Sequence, residues 1–179
     1  HAHGAEGIKN AVAAGVRTIE HGTLADDRAL EMIREAGAFL VPTMSPRRLF
    51  LKHAHQVPRF MVEKSKQMLE QTAALVGRAK AAGVSIAMGT DAGTNFNYHG
   101  DNAQELVYLV EEKMLTPLEA LTAATATAAK AIMLDREVGV LAPGKLADML
   151  IVAENPLENI RVLGDRSKFR IIFGGELVG

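Results

Sequence analysis

The feature that most constrains the fold is an alternation of short apolar runs with longer helical patterns along the first half of the chain. The runs at residues 16–20, 38–41 and 85–88 have the length and composition of buried strands. The glycines that close the preceding helical patterns are Gly15, Gly37 and Gly83. Alternating strands and helices favour a parallel sheet, in which right-handed crossovers make consecutive strands neighbours. The sequence therefore predicts an α/β fold.

The number of these units and a change of pattern near the C-terminus predict the domain organisation. With a strand end at the opening residues 1–4, the chain has four βα units. Four such units make half of a (β/α)8 barrel, a fold that takes about 250 residues when complete. From Asp135 onwards the chain has short strand-like runs punctuated by glycine and proline. These runs are residues 149–152, 161–163 and 169–173. We therefore expect a partial barrel over residues 1–137 and a small β-sandwich segment over residues 138–179.

Three further helices have recognisable starts. Pro58 suits the first position of a long helix that follows residues 44–57, which look irregular. Asp101 and Gln104 have the spacing of a capping box. Residues 116–119 combine a threonine cap, a proline at the first helical position and a glutamate at the third, which predicts a further helix.

Composition excludes several classes of function. Lys and Arg number 20 and Asp and Glu number 21, so a net charge of −1 gives no basic surface for nucleic acid. No apolar run approaches the ~18 residues of a membrane span, and we expect a cytoplasmic protein that binds neither nucleic acid nor membrane. Cysteine is absent, which restricts any metal ligands to His, Asp and Glu. Because the chain begins at His1 without Met, we also expect a fragment.

Three of the predicted strand ends finish in a side chain that can bind metal: His1, His21 and Asp91. The carboxyl ends of parallel strands lie at one edge of a sheet, so these residues can converge on one ion. Imidazole and carboxylate suit Zn²⁺ and similar divalent ions, and such a site leaves a position open for water. Taken singly, each histidine could instead be an exposed or hydrogen-bonded residue, and Asp91 could only cap the turn that follows it.

Five short motifs resemble, in order and spacing, the later half of the metal-dependent amidohydrolase superfamily. They are His1-Ala2-His3-Gly4, Ile19-Glu20-His21-Gly22-Thr23, Gly89-Thr90-Asp91-Ala92-Gly93, Thr116-Pro117-Leu118-Glu119-Ala120 and Gly144-Lys145-Leu146-Ala147-Asp148. Within that superfamily the chain is most similar to the branch of imidazolonepropionase-like and Xaa-Pro dipeptidase (prolidase-like) enzymes. The resemblance covers essentially all 179 residues. It implies the second half of a (β/α)8 TIM-type barrel with a small C-terminal β appendage.

The resemblance implies a metal-dependent hydrolase of carbon–nitrogen bonds. His1 matches the metal-binding histidine at the end of the fifth barrel strand, and His21 matches the one at the end of the sixth. Asp91 matches the eighth-strand aspartate, which in the family contacts the metal and carries a proton from the attacking water to the leaving nitrogen. The implied cofactor is one or two divalent ions, with zinc as the first choice. The implied substrate is an amide or dipeptide, and both a dipeptidase and a cyclic amidase fit.

The chain departs from the family because it does not contain two features that, in the family, lie upstream of the position that matches His1. Family members carry a His-x-His pair on the first strand and, in binuclear branches, a carboxylated lysine on the fourth. His1-Ala2-His3 has the letters of that pair, but the following residues 4–8 and the next strand at His21 place it at the fifth strand. An alternative is therefore a catalytically incomplete metal-binding half-barrel that self-associates or needs a partner half. The open sheet edges of a half-barrel favour a homo-oligomer.

Five further residues are candidates for binding substrate. Asn95, Tyr98 and His99 follow the aspartate in a polar loop, at the face of the sheet where loops set specificity. Arg47 follows the seventh-strand position and could hold a substrate carboxylate by a bidentate pair, or could lie on a solvated surface. His3 could face the substrate or only cap a turn.

Overall fold

The computed structural model describes residues 1–178, which form helices and strands in alternation and then a separate β segment. The α-helices are α1 (Ala5–Ala13), α2 (Asp27–Glu35), α3 (Ser45–Lys52), α4 (Arg59–Ala81), α5 (Ala103–Glu111), α6 (Pro117–Thr122) and α7 (Ala128–Ala131). The strands are β1 (Ala2–Gly4), β2 (Thr18–Leu24), β3 (Phe39–Val41), β4 (Ser85–Ile86), β5 (Met149–Val152), β6 (Phe169–Phe173) and β7 (Glu176–Val178). Short 3₁₀ helices lie at Ala54–Gln56, Ile160–Gly164 and Arg166–Lys168, and a π-helical turn at Ala123–Thr127 joins α6 to α7.

Strands β1 to β4 form one parallel sheet in chain order, as the alternation predicts. Thr18 of β2 pairs with Phe39 of β3, and Phe39 pairs in turn with Ser85 of β4. Helices α1 and α2 follow β1 and β2, and α3 and α4 together form the connection from β3 to β4. The α/β class is confirmed, whereas the assignment of these four strands to half of a barrel stays a prediction.

The hydrophobic core joins this sheet to its helices. Ile19, Leu40 and Ile86, one from each of β2, β3 and β4, have 1 %, 0 % and 9 % of their surface exposed. Leu75 and Val76 of α4 belong to the same core and are fully buried. Each such side chain contributes about 1.5–3 kcal/mol by leaving water. This burial fixes the strands and therefore the starting points of the loops at their carboxyl ends.

Two segments differ from the sequence-based prediction, and both are helical. Residues 44–57 contain α3 because a distant side chain binds the start of that helix, a contact that a local pattern cannot reveal. Residues 161–163 lie within a 3₁₀ helix rather than a strand. That helix packs on α5 and buries Val162 and Leu163, so the apolar residues that look strand-like serve a helical contact.

Of the two predicted capping boxes, one forms and one does not. The Thr116 hydroxyl accepts a hydrogen bond from the Glu119 backbone N–H at 3.3 Å, and the Glu119 carboxylate accepts one from the Thr116 N–H at 2.7 Å. The prediction of a capping box at Asp101 and Gln104 is wrong. Helix α5 starts one residue later than that box requires, without a side-chain cap, and the Asp101 carbonyl accepts the Gln104 N–H instead.

Strands β5, β6 and β7 form an antiparallel sheet near the C-terminus. Pairing between β5 and β6 runs from Met149 opposite Ile172 to Val152 opposite Phe169. These strands fall within the predicted segment 138–179, whose last residue lies outside the described residues. The division of the chain after residue 137 and the sandwich assignment stay predictions. No helix within residues 1–178 has both the length and the apolar character needed to cross a membrane.

Candidate metal centre and adjoining cavity

Near the carboxyl ends of β2, β3 and β4, three residues other than glycine adopt left-handed backbone. The φ angle is 68° at His21, 55° at Thr43 and 53° at Asp91. Residues with side chains rarely adopt this region, and each costs about 1–3 kcal/mol unless the surrounding structure enforces it. Because such strain concentrates at functional sites, this edge of the sheet is the first place to look for one.

Three histidine rings meet at the same edge. The ligand atoms of His1, His3 and His21 all lie within 4.8 Å of one another. The ring centroids are 4.8 Å apart for His1 and His3, 4.6 Å for His1 and His21, and 5.0 Å for His3 and His21. Parallel pairing places Ala2 opposite His21, so the rings on either side of Ala2 both reach His21. The structure therefore brings the predicted ligands His1 and His21 together and adds His3.

The surroundings favour the neutral form of the His3 and His21 imidazoles. His21 has 5 % of its surface exposed, and burial, followed by the charge of Arg47 and by His3, lowers its pKa to about 4. The pKa of His3 is also lowered, first by burial and then by the charges of Arg47 and Lys64. Neutral imidazole is the form that binds a metal ion. At neutral pH these two rings are therefore ready to coordinate without first losing protons.

The donor set fits a divalent metal ion. His21 Nδ1 is buried, and no group in residues 1–178 forms a hydrogen bond with it. A buried polar atom without a partner costs about 1–3 kcal/mol, and a metal ion bound to this nitrogen would remove that cost. His3 Nδ1 lies 3.0 Å from Thr23 Oγ1, which leaves the Nε2 atom of His3 to coordinate. Three imidazoles without a thiolate suit Zn²⁺ and its neighbours among the divalent ions.

A cavity of about 730 Å³ adjoins the histidine group. Its lining includes the polar residues His3, Arg47 and Asp91. It also includes the apolar residues Phe50, Phe60, Met61 and Met68. This volume lies within the range of about 300–1,000 Å³ that small-molecule sites occupy. The cavity can therefore hold a ligand that has both a charged group and an apolar group.

Arg47, predicted as a substrate residue, provides a positive charge to the cavity. Its guanidinium donates a hydrogen bond to the Met68 Sδ atom at 3.8 Å. Burial lowers the pKa of Arg47, while the carboxylates of Asp91 and Glu105 raise it. Lys64 lines the same cavity as a second cation. A guanidinium in this position can bind a ligand carboxylate through two parallel hydrogen bonds.

Asp91 lies on the cavity wall but outside the group of histidine ligand atoms found in residues 1–178. Its backbone is held by Asn97, whose buried side chain donates to the carbonyl oxygens of Thr90 at 2.6 Å and Asp91 at 3.0 Å. Thr94 adds a hydroxyl hydrogen bond to the Asp91 carbonyl at 3.0 Å. The loop therefore presents an exposed carboxylate on a fixed backbone. Its contact with a metal ion stays a prediction.

The other predicted substrate residues share this loop and face solvent. Asn95 and His99 are exposed, and Tyr98 has 68 % of its surface exposed. Thr94 is the member of the 94–99 segment that lines the cavity. Substrate contact by the three exposed side chains stays a prediction.

Sequence reasoning assigns His3 to substrate binding or to a turn, whereas the structure adds it to the metal-competent group. A usable signal was present, because residues two apart in a strand point to the same face, as His1 and His3 do on either side of Ala2. Glu105, fully buried on α5, was not singled out at all. The position of Glu105 in a helical pattern does not predict its contact with another helix.

Similarity to known proteins extends over the whole described chain. A sequence model of the amidohydrolase family matches residues 1–178. The chain belongs to the amidohydrolase family. This membership confirms the resemblance carried by the five sequence motifs. Amidohydrolases are generally metal-dependent, which agrees with the chemistry of the three imidazoles.

Two curated amidohydrolase relatives show how much of the family this chain represents. It is 36 % identical to ochratoxinase from Aspergillus niger over 184 residues, which cover 99 % of this chain and 37 % of the relative. It is 30 % identical to imidazolonepropionase from Nocardia farcinica over 148 residues, which cover 83 % of this chain and 33 % of the relative. The chain thus spans well under half the length of these relatives.

Solved amidohydrolase structures match the fold closely. A Xaa-Pro dipeptidase with bound methionine in its active site superposes with a TM-score of 0.86 at 37 % identity, covering 99 % of this chain and 43 % of that chain. A prolidase complexed with N-methylphosphonate-L-proline superposes with a TM-score of 0.87 at 34 % identity, covering 99 % of this chain and 44 % of that chain. The chain therefore has the fold of one part of these larger enzymes.

Proposed function

We propose that the chain is the metal-binding part of a hydrolase that cleaves carbon–nitrogen bonds in amides or dipeptides by means of an activated water. The observation that carries this proposal is the group of three imidazoles, with a buried His21 Nδ1 that has no partner in residues 1–178. Family membership supports the reaction class. The ochratoxinase, imidazolonepropionase and prolidase relatives support a substrate with an amide or related bond.

In this proposal His1 and His21 hold the metal ion, and His3 completes the set from the same edge of the sheet. A divalent ion bound there supplies a Lewis acid that polarises a carbonyl and lowers the pKa of an attacking water. Zinc is our first choice, with one or two ions, because neutral imidazoles with a nearby carboxylate suit it. The hydrogen bond between His3 and Thr23 holds the His3 ring in position.

Asp91 is the residue that moves protons in this proposal. Its exposed carboxylate shares the cavity wall with His3, and its backbone is held by Asn97. A carboxylate in that place can accept a proton from the attacking water and then donate it to the leaving nitrogen. Asp91 in turn favours the charged form of Arg47, since the two groups attract each other.

The substrate that fits the cavity carries a carboxylate and an apolar group. Arg47 and Lys64 are cations on its wall, and Phe60 and Met61 are apolar residues of the same wall. A dipeptide with C-terminal proline meets both demands, as does an N-acylated amino acid with a larger apolar side chain. A relative described as a Xaa-Pro dipeptidase supports the first of these substrate types. Asn95, Tyr98 and His99 are the proposed contacts from the outer loop.

A second candidate function follows from the length of the chain. It covers 37 % of ochratoxinase and 43 % of the Xaa-Pro dipeptidase, and its sheet has four strands within residues 1–178. The chain could therefore bind metal as an incomplete half-barrel, with residues 1–137 as the barrel part and residues 138–179 as a β segment. Such a module would self-associate or require a partner half for catalysis.

Metal content tests the site directly. We expect His21→Ala to remove most of the bound metal, because it deletes the buried ligand, and Asp91→Asn to remove most of the metal or of the activity. His53→Ala is a matched control, since His53 lies outside the histidine group and forms a stacked pair with Phe96. Elemental analysis of the purified variants gives the measurement. Wild-type metal content in both site variants would refute the metal centre.

Hydrolysis assays separate the two candidate functions. Purified chain loaded with Zn²⁺ is assayed on a panel of Xaa-Pro dipeptides and N-acylated amino acids. Turnover by the chain alone supports the hydrolase, and turnover that appears only after addition of the upstream half of the longer protein supports the incomplete module. Full turnover after removal of the metal by a chelator would contradict both.

A further inference from the structure

Helix α5 carries a buried carboxylate that the proposed reaction does not use. Glu105 has none of its surface exposed. Its two carboxylate oxygens accept hydrogen bonds from the backbone N–H of Met44 at 2.6 Å, the backbone N–H of Ser45 at 2.8 Å and the Ser45 hydroxyl at 2.6 Å. All three donors belong to the start of α3, which is 60 residues away in sequence. Glu105 therefore binds one helix to the N-terminus of another.

The start of α3 depends on this contact. Met44 occupies the N-cap position and has no side chain that can accept a hydrogen bond, and the first turn of α3 contains no acidic residue. The N–H groups at a helix start need acceptors, and the helix dipole favours a negative charge there. Thr43, one residue earlier, is in the left-handed region, so the chain enters α3 through a constrained turn. Glu105 supplies both the acceptor atoms and the charge.

A side-chain cap at position 44 would not satisfy the same N–H groups. An N-cap side chain accepts from the N–H two or three residues later, and Pro46 has none, whereas Glu105 binds the N–H groups of Met44 and Ser45. Burying a carboxylate costs several kcal/mol even when it is hydrogen-bonded. A buried glutamate at this point indicates a role beyond starting a helix. The residue three positions further along the chain is Arg47, which lies on the cavity wall.

Glu105 and Arg47 also interact through their charges. The Glu105 carboxylate favours the charged form of Arg47, as does Asp91 on the cavity side, whereas burial of Arg47 opposes it. The attraction is mutual, since Arg47 favours the ionised form of Glu105. The charge of Arg47 is thus favoured by an interior carboxylate and by a carboxylate on the cavity wall.

We propose that Glu105 is a positioning residue that fixes the first turn of α3, so that the Arg47 guanidinium lines the cavity and binds the carboxylate of the substrate. The inference rests on the proposed function only for the identity of the ligand group that Arg47 binds. Glu105 itself touches no ligand. Its effect reaches the ligand through the backbone of Met44 and Ser45 and through the charge of Arg47.

The test compares two probes that differ only in the carboxylate, N-acetyl-L-proline and N-acetyl-L-prolinamide. Their Kd values are measured by titration calorimetry at about pH 8, where Glu105 is ionised. The wild type is expected to prefer the carboxylate probe by about tenfold, which is about 1.4 kcal/mol. Arg47→Met abolishes that preference. Glu105→Gln loses most of it, and the double variant Glu105→Gln/Arg47→Met loses no more than Arg47→Met alone.

Glu112→Gln is the matched control. Glu112 follows the end of α5 and pairs with Arg48, the neighbour of Arg47 on α3, so the variant removes the same charge between the same two helices. Its preference for the carboxylate probe should stay at the wild-type value. A merely structural loosening would weaken the binding of both probes together and would leave their ratio unchanged.

The outcomes that overturn the inference are distinct from failure of the proposed function. Equal weakening of both probes in Glu105→Gln, or additive losses in the double variant, would contradict the positioning role, and so would equal affinity of the wild type for the two probes. If Glu105→Gln does not fold, Ser45→Ala removes one of the three hydrogen bonds and should lower the preference part of the way. Absence of hydrolysis refutes the proposed function alone, because the binding ratio does not require turnover.

Discussion

His21 and Gly22 together determine how the metal-competent group is built. Both residues have positive φ, at 68° and 61°, so the backbone of β2 turns at this point and carries the His21 ring into the interior. A Cβ atom on Gly22 would meet Leu40 Cδ1 at 2.7 Å, closer than real side chains approach. The turn is therefore least strained with glycine next to the histidine. The position of the His21 ring thus depends on Gly22.

We predict that Gly22→Ala lowers the free energy of unfolding by about 2–4 kcal/mol, since overpacking against Leu40 adds to the backbone strain. Urea denaturation monitored by circular dichroism measures the loss. Gly15→Ala is the control, because Gly15 has φ of 84° with no atom within 4 Å of the added Cβ. It should cost about 1 kcal/mol, from strain alone. Equal losses in the two variants would show that the contact with Leu40 is relieved without cost.

Single residues were predictable from sequence where their role follows from a local pattern. His21 was predicted as a ligand because it follows an apolar run and precedes glycine, and the structure places it with His1. The addition of His3 required the pairing of β1 with β2 and the hydrogen bond to Thr23, both of which join residues far apart in sequence. Glu105 was missed for the same reason, since its partners lie on another helix.

Helices α3 and α6 differ in whether their starts are encoded by neighbouring residues or by a distant contact. The start of α6 is encoded within four consecutive residues, Thr116 to Glu119, and it forms as predicted. The start of α3 has no local cap and relies on Glu105, so residues 44–57 looked irregular in the sequence. Burial raises the pKa of Glu105 to about 7, although its hydrogen bonds to the start of α3 and the charge of Arg47 act in the opposite direction. The junction of α3 with α5 should therefore be sensitive to pH.

We predict that Glu105 makes the free energy of unfolding fall as pH rises from about 4.5 to about 7. The pKa of Glu105 is about 7 in the folded chain and 4.5 as the ordinary value, so the folded state binds more protons in this window. Stability is then lost with rising pH, at up to about 1.4 kcal/mol per pH unit and about 3 kcal/mol in total. The charged or titratable groups that act on this carboxyl are Arg47 and Tyr108. Both are in their protonated forms across the window.

Glu105→Gln isolates this contribution. Urea denaturation at about pH 5, 6, 7 and 8 should show a smaller decline in the variant than in the wild type. Subtracting the profile of the variant from that of the wild type removes the contribution of His21, because both proteins contain it. The lowered pKa of His21 acts in the opposite direction below pH 6.5. Glu112→Gln should retain the wild-type profile, since Glu112 is partly exposed and pairs with Arg48 rather than with the N–H groups at the start of α3. Parallel profiles for wild type and Glu105→Gln would contradict the raised pKa.

The whole chain presents two surfaces that its own described residues do not cover. In the four-stranded sheet β1 pairs only with β2 and β4 only with β3 within residues 1–178, so each has an open edge. A largely apolar cavity of about 740 Å³ lies between α5, the π-helical turn and the C-terminal strands, and Leu141 on its wall has 75 % of its surface exposed. Alternation in the sequence predicted the parallel order of the strands, because each βα unit is local. What covers the outer strands is not encoded in these local units and could not be predicted.

We predict that the purified chain is a homo-oligomer, because open strand edges and exposed apolar surface are costly in water. Size-exclusion chromatography with light scattering should give a mass that is a multiple of 19.2 kDa. Leu141→Glu should shift the population towards monomer by placing a charge in the apolar cavity, whereas Val16→Glu, at an exposed position outside that cavity, should not. A wild-type chain that elutes entirely at 19.2 kDa would show that the open edges are tolerated, and it would remove the main argument for self-association.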